Sequence, residues 1–171
     1  FHALRFAFLI LAQQKELYVL HSASFLYRGR AFLVSGSSGT GKSTHSALWH
    51  DLYQTPLLNG DLNLLGIRDN IPYAYGLPWC GTSGICTPKD YPLGGIIFLK
   101  QAAIDQVQSL QPDEKVLHIL QRMISPAWTK ELLLRNLHFS EALAPLIFSC
   151  RLYCTKEPSA ARTLKAAIDA L

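Results

Sequence analysis

The segment Gly36-Ser37-Ser38-Gly39-Thr40-Gly41-Lys42-Ser43 holds three glycines, a lysine and a hydroxyl in the spacing G-x-x-x-x-G-K-[ST]. That spacing suits phosphate. A glycine-rich loop turns its backbone N–H groups inward, where they bond phosphate oxygens. Side chains at Gly36, Gly39 or Gly41 would block the approach or forbid the backbone angles. A helix starting near Lys42 aims its positive end at the same group. The expected cradle comprises Gly36, Ser37, Ser38, Gly39, Thr40, Gly41, Lys42, Ser43 and Thr44. Lys42 reaches the β- and γ-phosphates of a nucleoside triphosphate, and Ser43 supplies an oxygen to Mg²⁺.

Asn59-Gly60-Asp61 is the second constellation. An acid at a strand end near such a loop serves as a metal ligand or a base, or it simply forms a turn. A third feature is the loop Gly76-Leu77-Pro78-Trp79-Cys80-Gly81-Thr82-Ser83-Gly84. It either closes over a substrate, with Lys89 meeting an anionic group, or is a surface loop anchored by Trp79. His45 and Trp49 are four apart on the expected helix, which favours packing over a ligand role. His21 read alone is structural. His2, His50, His118 and His138 have no evident partners.

The elements around these residues follow from pattern. Leu4 to Gln13 reads as an apolar helix. Leu17 to His21, Ala23 to Tyr27 and Arg30 to Ser35 read as strands, with a tight turn at Arg28-Gly29. Lys42 to Trp49 or slightly beyond is helical. Leu57 to Asn59 is a short strand, and Leu62 to Ile67 with Ile71 to Tyr75 flank a hairpin turn at Asp69-Asn70. Gly76 to Leu93 reads as loop, Gly95 to Lys100 as a buried strand, and Asp105 to Leu110 as its neighbour. Asp113 to Ser125, Thr129 to Leu143 and Pro158 to Leu171 read as helices, and Pro145 to Thr155 as mostly strand. Strands and helices mix without strict alternation. The expected fold is therefore α/β, a mixed β-sheet with flanking helices.

A chain of 171 residues, nearly half of them apolar, is expected to form one globular domain over 1–171. It starts at Phe1 and not Met, which points to missing residues upstream. The net charge of +4 suits an anionic ligand, but the scattered basic residues exclude nucleic acid as a partner. The longest apolar stretch, Phe6 to Ala12, is too short to span a bilayer, although with Arg5 before it the stretch has something of a signal-peptide core. Cys80, Cys86, Cys150 and Cys154 have no C-x-x-C spacing and read as thiols in a reducing cytosol, so the expected location is cytoplasmic.

The order of these features resembles the HPr serine kinase/phosphorylase catalytic domain and its relatives with a phosphoenolpyruvate-carboxykinase-like nucleotide fold. The resemblance rests on His21-Ser22, Gly29, Leu33 to Thr44 and Asp61, which follows Lys42 at about the expected interval. A branch of HPr-kinase-related proteins looks most similar, through Ser38 to His45, Leu48-Trp49, Pro78 to Gly81, Pro92-Leu93 and Ile96 to Leu99. The likeness is specific from His21 to Lys100.

It implies a P-loop domain of the HPr kinase type that transfers phosphate from Mg-ATP to a hydroxyl, a serine of a peptide or protein. It implies that Lys42 and the loop amides hold phosphate, that Ser43 and Asp61 hold metal, and that His21 lies near the reacting phosphoryl group. Gly60 stands where those kinases carry the first of two adjacent acids, so Asp61 alone remains for metal and base. Two other readings stay open: a non-catalytic nucleotide-binding regulatory module and a small-molecule kinase. An oligomer is compatible with all three.

Overall fold

The structure is a computed structural model that describes residues 2–79 and 81–171, except the side chains of His2 and Thr82. Phe1 and Cys80, with the expectation for the Cys80 thiol, lie outside the described residues.

The strands are β1 (Tyr18–Tyr27), β2 (Arg30–Ser35), β3 (Leu57–Asn59), β4 (Leu62–Arg68), β5 (Ile71–Tyr75), β6 (Tyr91–Gln101), β7 (Gln106–Ser109) and β8 (Phe148–Cys154). The helices are α1 (His2–Gln14), α2 (Lys42–Tyr53), α3 (Pro112–Arg122), α4 (Lys130–Leu143) and α5 (Pro158–Asp169). The pairing is mostly antiparallel. Only β2 with β6 and β6 with β8 run parallel. β1 pairs with β4 through its first half and with β2 through its second. β6 likewise pairs with β5 at its start and with β2 beyond it. The path from β2 through β1, β4, β5 and β6 therefore returns to β2.

Alternation along the central strands divides the interior. Leu33, Ile96 and Phe98 face a core shared with Ile119 of α3 and with Phe139 and Leu143 of α4. Phe32, Val34, Ile97 and Leu99 face the opposite core, with Trp49 of α2 and Ala160, Leu164 and Ile168 of α5. A third cluster beneath α1 joins Ala12, Val19, Leu62, Leu64 and Leu77. The Asp69-Asn70 turn has positive φ at both residues, as a tight two-residue hairpin requires.

The structure corrects some boundaries. The two strands expected before Arg28 are one, because Ser22 is buried, pairs with Ser35 and donates its N–H to Asp61 O at 3.0 Å. α3 stops at Arg122, three residues short of Ser125. Met123 bridges to Leu20, Ile124 N–H donates to Val19 O, and Ser125 Oγ accepts from Val19 N–H, so β1 recruits this segment from the helix. Ala144–Leu146 forms a 3-10 turn, delaying β8 to Phe148. The expected loop from Gly76 to Leu93 loses Tyr91, Pro92 and Leu93 to β6, where Tyr91 pairs with Ala74, Pro92 with Tyr73 and Leu93 with Ala31.

Candidate functional site

β2 delivers the chain into the glycine-rich loop, and α2 carries it away. Ser35 Oγ donates to His21 O at 2.7 Å, tying the end of β2 to β1. Within the loop, Thr40 Oγ1 donates to Ser37 O at 2.7 Å. A Cβ at Gly36 would lie 2.5 Å from that hydroxyl and 3.3 Å from Leu99 O. Gly39 and Gly41 have φ of +77° and +98°, which other residues rarely adopt. Gln101 Nε2 donates to Gly39 O at 3.0 Å, bracing the loop against β6.

Gly41 begins α2 without a side-chain cap, so the first N–H groups of the helix have no partner within it. Lys42 folds back over the loop, and its Nζ donates to Gly36 O at 3.1 Å and Ser37 O at 3.2 Å. Burial lowers its pKa, Arg122 lowers it further, and Asp61 opposes both.

Asp61 stands in the turn between β3 and β4. His21 Nδ1 lies 3.4 Å from Asp61 Oδ1. Burial pushes the His21 pKa down and Lys42 adds to that, with the Asp61 carboxylate pulling the other way. Behind Asp61 lies a buried amide network. Asn59 Oδ1 accepts from the N–H groups of Asp61 and Leu62, and Asn59 Nδ2 donates to Trp79 O. Asn63 Nδ2 donates to Ser22 O, and Asn63 Oδ1 accepts from Ser24 Oγ. The backbone of Gly81 lies across Asp61, since a Cβ there would come within 2.6 Å of the Asp61 Cβ.

Lys42, Asp61 and His21 therefore converge, although they come from three elements. Ser43 lines a small cavity of about 40 Å³ with Asn59, Gly60 and Ser83. Ser43 and Asp61 offer hard oxygens of the kind Mg²⁺ takes. Among the described residues no cluster of three or more His, Cys, Asp or Glu could hold a metal. A magnesium site completed by phosphate and water oxygens requires no such cluster.

Other expected residues lie elsewhere. Trp79 packs edge-on against Phe8 at 4.5 Å, as an anchor, while its loop still covers Asp61. Lys89 is exposed and borders a different, small cavity with Asn59 and Tyr91. His45 and Trp49 are both buried, in agreement with packing. Cys150 and Cys154 are buried free thiols, and burial pushes Cys150 up to about 12. No helix among the described residues is long and apolar enough to cross a membrane.

The sequence reading missed the other wall of the loop. A cavity of about 630 Å³ opens between Gly36–Thr40 and a basic group made of His118, Arg122 and Arg151. Arg122 Nη2 lies 3.4 Å from Ser37 Oγ, and Arg151 Nη2 lies 2.6 Å from His118 Nε2. Two signals were present. His118 and Arg122 are four apart on a helix, hence on one face, and Arg151 interrupts an apolar strand.

No family model matches this chain, and no curated protein does. Among solved structures, the HPr(Ser) kinase/phosphatase from Coxiella burnetii is similar, with a TM-score of 0.44 and 9% sequence identity over 88% of this chain and 98% of that one.

Proposed function

We propose that this chain is an HPr-kinase-like P-loop phosphotransferase of one domain, which binds Mg-ATP on residues 36–44 and transfers its γ-phosphoryl group to a hydroxyl. The observation carrying this reading is the convergence of Lys42, Asp61 and His21 beside a loop whose glycines are sterically required. In the transfer, the acceptor oxygen attacks the γ-phosphorus. The bond from that phosphorus to the β–γ bridging oxygen breaks, and the nucleoside diphosphate leaves. The hydroxyl proton passes to the Asp61 carboxylate. The loop amides and Lys42 hold the phosphates, and transfer of this kind depends mainly on positioning and charge neutralisation. Magnesium, with Ser43 and Asp61 as its protein donors, would supply part of that neutralisation.

Asp61 is one carboxylate with two candidate duties. His21 Nδ1, 3.4 Å from Asp61 Oδ1, is placed to take up the proton that Asp61 accepts, and so supports the base role. A serine of a peptide or protein is the acceptor that the family resemblance implies. A small-molecule acceptor is the second reading, favoured by the basic cavity beside the loop.

The first test is the melting temperature with and without Mg-ATP, for the parent and for Lys42→Ala. Nucleotide at about one hundred times its dissociation constant stabilises by roughly 2.7 kcal/mol. A shift in the parent that Lys42→Ala abolishes supports the reading. No shift in the parent with metal present refutes it. A shift without transfer to any acceptor would return the chain to a nucleotide-binding regulatory module.

A further inference from the structure

The cavity opposite the glycine-rich loop has an unusual charge balance. His118, Arg122, Arg151 and Lys100 line it, and no carboxylate does. Among the described residues, neither Arg122 nor Arg151 pairs with an acid. Arg122 Nε is buried and has no hydrogen-bond partner. A guanidinium drawn partly out of water without a counter-ion is stabilised when an anion binds beside it.

The group is also held in place. His118 Nε2 accepts from Arg151 Nη2 at 2.6 Å, and the His118 ring packs on Phe98 with centroids 5.1 Å apart. Arg151 Nη1 donates to Gln108 Oε1 at 3.2 Å. The guanidinium is thus braced on two sides. Arg122 faces two ways. It touches Ser37 of the loop, and its charge is felt by Lys42, His21 and His118. Arg122 lines the cavity with Ser37 and is close enough to Lys42 and His21 to influence both, and Arg151 of β8 lines the same cavity.

Resting on the phosphotransfer reading, we propose that the acceptor is a small hydroxy compound whose own carboxylate or phosphate binds between Arg122 and Arg151, with its hydroxyl directed to the loop. The cavity of about 630 Å³ spans both the loop residues 36–40 and the basic wall, so the nucleotide phosphates take the loop side and the acceptor the side of Arg122 and Arg151. Two planar guanidinium forks match a carboxylate or phosphate better than a neutral peptide serine. Lys42 and the helix end already answer the charge of a triphosphate, which leaves Arg151 for a second anion.

The test fills the loop with Mg²⁺ and a non-hydrolysable ATP analogue, then titrates glycerate, glycerol 3-phosphate and neutral glycerol while following melting temperature. One or both anions should raise it and glycerol should not, and the stronger anion identifies the group recognised. Arg151→Gln and, independently, Arg122→Gln should each bind that anion about tenfold more weakly. Arg151→Lys should recover part of the loss. Unliganded melting curves of each variant establish that it folds.

Repeating the titration without nucleotide, on the parent and on Lys42→Ala, separates the two readings. An anion shift that survives in Lys42→Ala belongs to the cavity, whether or not the parent binds Mg-ATP. No shift with either anion, an equal shift with glycerol, or an unchanged shift in both arginine variants overturns the proposal. So does transfer to a serine peptide lacking a flanking acid when the small anions neither bind nor inhibit.

Discussion

Two polar regions flank the Lys42–Asp61 centre, and they are built on opposite terms. Beneath Asp61, the amides of Asn59 and Asn63 and the hydroxyls of Ser22 and Ser24 are buried, and the amides spend their donors and acceptors on those hydroxyls and on nearby backbone. Beside the loop, Arg122 and Arg151 face a cavity without a single acid. A satisfied buried network rigidifies and positions. Uncompensated cations at a cavity wall are a cost to the fold, which a ligand can remove. The difference separates polar side chains that satisfy one another from cations that no acid balances.

The largest effect should come from the carboxylate between the two regions. Asp61→Asn is expected to slow phosphoryl transfer by about a hundredfold or more, measured as turnover at saturating Mg-ATP. Titrating Mg²⁺ in the same variant sharpens the role. An unchanged metal requirement marks a base, and a raised one marks a metal ligand.

Next comes the network itself. Asn59→Ala leaves two N–H groups and the Trp79 carbonyl without partners, and urea unfolding should show a loss of about 3 kcal/mol. A loss below about 1 kcal/mol would mean that water replaces the amide and that the network does not position Asp61.

His45 offers a pH test of burial without partners. It is 2% exposed, neither ring nitrogen has a hydrogen bond, and burial pushes its pKa to about 4, with Asp105 opposing. The unfolded chain then binds the proton more readily than the fold does. Stability from this group is present above about pH 6.5 and lost as pH falls toward 4, by about 3 kcal/mol. His45→Leu should flatten that part of the pH–stability curve, and parallel curves for parent and variant would refute it. The lowered pKa values of His21 and His118 act with the same sign.

The smallest effect is the most diagnostic of the comparison. Arg122→Gln removes an unpaired cation near Lys42, so the unliganded protein should gain up to about 0.5 kcal/mol in urea unfolding. A clear loss would show that Arg122 serves the fold as the asparagines do.

Much of the fold was legible because its signals are local. Continuous apolar runs in Ala31–Val34 and Ile96–Leu99 mark strands buried on both faces, and Asp69-Asn70 marks the hairpin. The errors fall where distant segments compete for one backbone. Residues 123–125 carry a helical pattern, but β1 takes them as hydrogen-bond partners. Tyr91 and Pro92 read as loop until β5 supplies their neighbours.

The site divides in the same way. The loop announces itself because phosphate binding needs glycine where the chain crowds or turns left-handed, and lysine at one fixed offset; all of that lies within nine consecutive residues. The sequence by itself determined the glycine-rich loop, the helix behind it and the nearby acid. Only the tertiary structure decided that His21 meets Asp61, that Gly81 lies across it, and that His118, Arg122 and Arg151 form one basic wall opposite the loop. Those residues come from elements up to 130 positions apart (His21 to Arg151), and their electrostatics follows from distance in space, which no spacing along the chain encodes.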